Sequence, residues 1–140
     1  WLPPLLKLKK LRSLSMEGTA WGLPGKPGLG DPSLSRLQAL AELPSLTALE
    51  LNYFTKATEE GWERLAGLRN LEAFTLISNR THGHCFRTFE GWTKLRRLNL
   101  HSNNVDDEGM GHICERFPNL EFIKTRQINS CATANNRSIS

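Results

Sequence analysis

The sequence has no run of eighteen or more apolar residues, which excludes a transmembrane helix. Cysteine is scarce and unpaired in number: Cys85, Cys114 and Cys131, with no CxxC. That count argues against a disulfide framework and for a reducing, intracellular compartment. Excess charge is also small. Eighteen Lys and Arg against 14 Asp and Glu leave a net charge of +4, short of the dense basic surface that drives unspecific nucleic-acid binding. Anionic partners are permitted by this charge and not demanded by it. The opening "WLPPLL" lacks both an initial Met and the basic leader of a signal peptide. The expectation is that the start is a cleavage point or a truncation with material missing upstream, because Leu8, Leu11 and Leu14 already fall inside a pattern.

What is present is an ordinary globular composition, 39% hydrophobic and 23% charged over 140 residues, the size of one domain. It is organised by internal self-similarity, the feature to seek first. "LRSLSMEGT" from Leu11, "LTALELNYF" from Leu46, "LEAFTLISN" from Leu71, "LRRLNLHSN" from Leu95 and "LEFIKTRQI" from Leu120 share the form LxxLxLxxN. The starts lie 35, 25, 24 and 25 residues apart, and the Gly- and Pro-rich stretch 22–31, "GLPGKPGLGD", accounts for the long first interval as an insertion loop. Apolar residues two apart within each motif predict a short strand with one buried face.

Columns upstream of each strand repeat as well. Three residues before the motif stand Leu43, Leu68, Trp92 and Phe117; six before, Leu40, Leu65, Phe89 and Cys114; nine before, Leu37, Trp62, Phe86 and Gly111, with Met110 beside the last as its replacement. These positions share one helical face, so a helix is predicted between strands, with Cys114 facing inward among Leu65 and Phe89. Asp31–Pro32, Thr58–Glu59–Glu60 and Asp106–Asp107–Glu108 mark helix starts, where acidic and hydroxyl side chains accept hydrogen bonds from free N–H groups.

Over about residues 5 to 128 the chain resembles the leucine-rich repeat family. "VDDEGMGHICERFPNLEFI" and "ATEEGWERLAGLRNLEAFTL" are similar to the cysteine-containing repeats of F-box substrate adaptors and to repeats of some bacterial proteins. The resemblance implies an α/β solenoid of about five repeats over residues 1–128, with short parallel strands on a concave face and helices on the convex one. The ninth motif position reads Thr19, Phe54, Asn79, Asn103 and Ile128. Its asparagines are expected to point inward and satisfy backbone groups in the turns; Phe54 has no explanation at this level. The polar tail 129–140 is read either as disordered or as a cap on the last repeat.

Side chains alternate along a strand, so the concave face is expected to carry Ser13, Ser15 and Glu17; Ala48, Glu50 and Asn52; Ala73, Thr75 and Ile77; Arg97, Asn99 and His101; and Phe122, Lys124 and Arg126. The face runs from acidic to basic. Arg97, Asn99, His101, Phe122, Lys124 and Arg126 form the candidate partner-binding set, because Arg and aromatic residues are enriched at interface hot spots. A solvated strand face is the plainer account. The function expected is a non-catalytic protein-interaction module for a partner with an acidic segment; the alternatives are the substrate-recognition part of a ubiquitin-ligase adaptor or an architectural subunit of a large assembly.

Other chemistry is thin. "THGHCF" brings His82, His84 and Cys85 together, and zinc would need a fourth ligand from His101, His112 or Cys114; an irregular turn opening a helix is the expected reading, with no metal. A Cys85 nucleophile lacks an orienting third group beside His82 or His84, so no enzyme and no cofactor are expected. "GKPGLGD" lacks the preceding strand of a phosphate loop. Of the sequons Asn79-Arg80-Thr81 and Asn136-Arg137-Ser138, the first lies in the inward column, where a glycan has no room.

Overall fold

A computed structural model describes residues 2–18 and 29–125. Five strands, β1 (Ser13–Glu17), β2 (Ala48–Asn52), β3 (Ala73–Thr75), β4 (Arg97–Leu100) and β5 (Phe122–Thr125), form one all-parallel sheet in chain order. The register joins the motif columns: Leu14, Leu49, Phe74, Leu98 and Ile123 stand side by side, as do Ser13, Ala48, Ala73, Arg97 and Phe122. Parallel neighbours need a crossover, and here each described crossover is helical. A four-residue helix, α1 (Leu2–Leu5), precedes the sheet; α2 (Asp31–Leu37) continues into a 3-10 helix at Gln38–Glu42, and α3 (Glu59–Glu63) into one at Arg64–Gly67. Between β3 and β4 the return is a 3-10 helix alone, His84–Thr88, and before β5 it is the α-helix α4 (Asp107–Arg116). The molecule is thus α/β, with strands and helices alternating. Thr19, most of the 22–31 loop, Arg126, Ile128 and the 129–140 tail lie outside the described residues.

The buried layer between sheet and helices contains the expected columns for the first three returns: Leu37, Leu40 and Leu43; Trp62, Leu65 and Leu68; Phe86, Phe89 and Trp92. A strict spacing of three is the signature of 3-10 geometry, in which residues i and i+3 eclipse, and 3-10 helices occupy part of all three returns. The last return departs from the expectation. In α4 the buried residues are Gly109, Met110 and Ile113, followed at the C-cap by Phe117, whereas Cys114 is exposed. With 3.6 residues per turn the inward face advances by three and then four, so the column six residues before the motif rotates outward. The inward placement of Cys114 is therefore corrected.

The ends of these helices show how the repeats hold one another. Thr58 Oγ1 accepts from the Gly61 N–H at 3.2 Å, and Asp106 Oδ1 from the Gly109 N–H at 2.8 Å, as N-caps should. Asp31 does not cap α2, whose N-cap is Gly30. Its carboxylate instead accepts from the Thr58 N–H (2.7 Å) and hydroxyl (2.6 Å) of the next repeat. Gly109 is buried against the His82 carbonyl and the Gly83 backbone, where a Cβ would collide.

The ninth-position asparagines behave as expected. Asn79 accepts from the Phe54 N–H (2.6 Å) and donates to the Leu51 carbonyl (2.6 Å); Asn103 accepts from the N–H groups of Asn79 (3.0 Å) and Thr81 (3.3 Å) and donates to the Leu76 and Leu100 carbonyls. Each amide thus satisfies buried backbone of the turn before it. The structure also explains Phe54. The strand of the preceding repeat, β1, is followed by Gly18, whose N–H donates to the Asn52 carbonyl and whose own carbonyl accepts from Leu29 N–H, both at 2.7 Å. With those groups already paired there is no call for an amide, and a ring closes against Gly18 and Trp62, 5.9 Å between ring centroids.

Candidate functional site

On the sheet face away from the helices, the side chains stand in rows set by the register. One row reads Ser13, Ala48, Ala73, Arg97, Phe122, and the next Ser15, Glu50, Thr75, Asn99, Lys124. Glu17 and Glu50 lie on β1 and β2; Arg97 and Lys124 lie on β4 and β5, so the acidic-to-basic gradient crosses the strands. Neighbouring parallel strands bring such side chains within about 5 Å of one another.

The basic end contains a formed contact. The Arg97 guanidinium carbon lies 4.4 Å from the centroid of the Phe122 ring, within cation–π range. Arg97 is exposed and Phe122 is 38% exposed, so guanidinium and ring edge both remain available at the surface. Lys124 is exposed beside them. Asn99 is half-buried, its Oδ1 accepting from the His101 N–H at 3.1 Å, and His101 is half-buried in turn. Arg97, Asn99, His101, Phe122 and Lys124 are therefore brought onto one end of the sheet face. Arg126, the sixth member of the predicted set, lies outside the described residues.

Asn52 belongs to the structure rather than to the surface. It is 7% exposed, donates to the Glu50 carboxylate and accepts from the Ile77 N–H at 3.1 Å. Its expected outward role is corrected: it stitches β2 to the turn after β3. Glu50 is half-buried and engaged by that amide, which leaves Glu17 as the exposed acid at the opposite end.

The "THGHCF" segment forms the turn before the 3-10 helix His84–Thr88, with Gly83 at φ 86°. Its side chains point to separate partners. His84 Nε2 meets the Asp106 carboxylate at 2.7 Å, His82 Nδ1 lies 3.7 Å from Glu59, and Cys85 is fully buried. Burial first, then the nearby Glu59 and Glu63 charges, push the Cys85 thiol well above its usual pKa, against the hydrogen bond from Thr81. Sequence reasoning missed the role of Glu59, which it read only as part of a helix start. Its carboxylate accepts from the Thr81 hydroxyl and from the N–H groups of His82 and Cys85, pinning this turn to α3. No spacing rule flags such an acid, because its partners sit one repeat ahead.

No protein-family model and no curated protein matches the sequence. Among solved structures the chain is similar to the C-terminal domain of tropomodulin from Caenorhabditis elegans, with a TM-score of 0.66 over 99% of this chain and 90% of that one. At 8% identity the likeness concerns the fold alone.

Proposed function

We propose that the chain is a leucine-rich repeat solenoid acting as a non-catalytic protein-interaction module, whose basic sheet end receives an acidic segment of a partner. The single observation that supports this most is the Arg97–Phe122 pair. A guanidinium already seated on an exposed ring loses little freedom when it meets a carboxylate, and Arg and aromatic anchors dominate interface energies. Lys124 adds positive charge in the next row, and Asn99 and His101 offer polar edges. Raising the Cys85 thiol pKa within a buried site favours an inert, structural cysteine over a nucleophile.

The test is quantitative affinity capture with the full chain, comparing wild type with the Arg97→Glu, Lys124→Glu double variant and with a helix-side control, Glu60→Lys. Partners weakened about tenfold or more by the double variant, about 1.4 kcal/mol, and retained by the control support the reading. An unchanged partner set discards it.

A further inference from the structure

The net charge of +4 is distributed unevenly. Lys7, Lys9, Lys10 and Arg12 precede the first acidic residue, Glu17, so residues 1–16 carry four cations and no anion, while the remainder of the chain sums to zero. The fold displays this segment. Successive turns, with Leu6 N–H to the Leu2 carbonyl, Lys7 to Pro4, Leu8 to Leu5 and Leu11 to Leu8, bury Leu2 and pack Leu5, Leu6 and Leu11 against the core. What they turn outward is Lys7, Leu8, Lys9 and Lys10, which with Leu11 line one open depression. Leu8 is 50% exposed, more than Phe122, the other exposed large hydrophobic among the described residues.

We propose that this N-terminal turn is a docking site for an anionic phospholipid surface. Three observations select that occupant. Lys7, Lys9 and Lys10 line the same open depression as the half-exposed Leu8, so the patch offers both attraction to a negative surface and an apolar side chain to insert between headgroups. Three of the four are lysines, which are depleted at protein interface cores and suit a diffuse potential, unlike the bidentate fork of an arginine. And among the described residues none of the four is held in an ion pair, in contrast to Arg87, Arg96 and Arg116 on their glutamates. Bases would need aromatic platforms for stacking, and the described part of the turn contains none. Binding would be peripheral, since no described helix is long and apolar enough to span a bilayer.

The experiment is sedimentation of the full chain with phosphatidylcholine vesicles with and without phosphatidylserine. Binding is expected only to the anionic vesicles and is expected to fall with salt as the screening length shortens. Lys9→Gln should lower partitioning about fivefold and the triple change of Lys7, Lys9 and Lys10 to Gln about a hundredfold. Leu8→Gln should lower it about fivefold through lost insertion, while Arg64→Gln, an exposed cation on the helix side, should leave it unchanged. Equal binding to both vesicle types, no binding to anionic vesicles at low salt, or an unaffected Leu8→Gln would each overturn the proposal. So would tighter binding to poly-uridylate removed by the same lysine changes, which would make the turn a nucleic-acid site, or an equal loss of vesicle binding in Arg64→Gln.

Discussion

The returns ahead of β2, β3 and β4 and the return ahead of β5 solve one problem with different helices. The first three place buried residues at a spacing of three and use 3-10 turns; the last, built on α4, buries Met110, Ile113 and, at its C-cap, Phe117 on a 3.6-residue pitch. The same alignment column therefore holds Leu40, Leu65 and Phe89 in the core but leaves Cys114 outside. Position in a repeat does not by itself assign burial; the local helical pitch does. The difference is also one of packing chemistry. Around the 84–88 return, Phe86, Phe89, Trp92 and Phe117 form a cluster with ring centroids 4.7 to 5.7 Å apart along its close pairs, while leucines fill the column beneath β2.

The sharpest test of this contrast is a pair of alanines in one column. Phe89→Ala should cost about 3–5 kcal/mol, from lost transfer energy and the cavity left among the rings, whereas Cys114→Ala should change stability by about 0.5 kcal/mol or less. Urea unfolding midpoints measure both, and equal costs would break the comparison. Next in size is the device that both kinds of repeat share. Asn103→Ala leaves the Asn79 and Thr81 N–H groups and the Leu76 carbonyl without their buried partner and should cost about 2 kcal/mol or more; protection of those amides from hydrogen exchange should fall with it.

The smallest expected loss among the polar contacts is at the start of α4. Burial acts to raise the Asp106 pKa, but the Gly109 N–H and His84 outweigh it and hold the carboxyl below its ordinary value. The sign follows: a depressed folded pKa contributes stability above the unfolded carboxyl value, about 3.9, that is lost as pH falls through the lower folded value. Asp106→Ala should therefore destabilise by about 1 kcal/mol at neutral pH. The gap between the denaturation curves of the two proteins should begin to close below about pH 4 and narrow further toward the lower folded value, and a gap that is constant with pH would remove the carboxylate from the account.

Much of this was legible in the residues. The motif spacing carried the five strands and the shared columns of Leu14, Leu49, Phe74, Leu98 and Ile123, because side-chain alternation and a repeated interval are local properties of the chain; their parallel order came with the resemblance to leucine-rich repeats. The sheet-face residues from Arg97 to Lys124 were legible for the same reason. Cys114 was not, since the choice between 3-10 and α geometry depends on what the neighbouring return presents. Nor were Glu59 and Asp31, whose partners belong to the following repeat, or Asn52, whose amide is claimed by Glu50 and by the Ile77 N–H.

The sequence by itself determined which residues recur and therefore where strands form and which columns they share, because periodicity and alternation follow from backbone geometry. Only the tertiary structure decided which acids and amides are spent on neighbouring turns and which cations stay exposed, as on the turn over residues 7–12 and beside Phe122. Those outcomes depend on distances between repeats, where a hydrogen bond or a ring contact is won by whichever group the packing brings within reach.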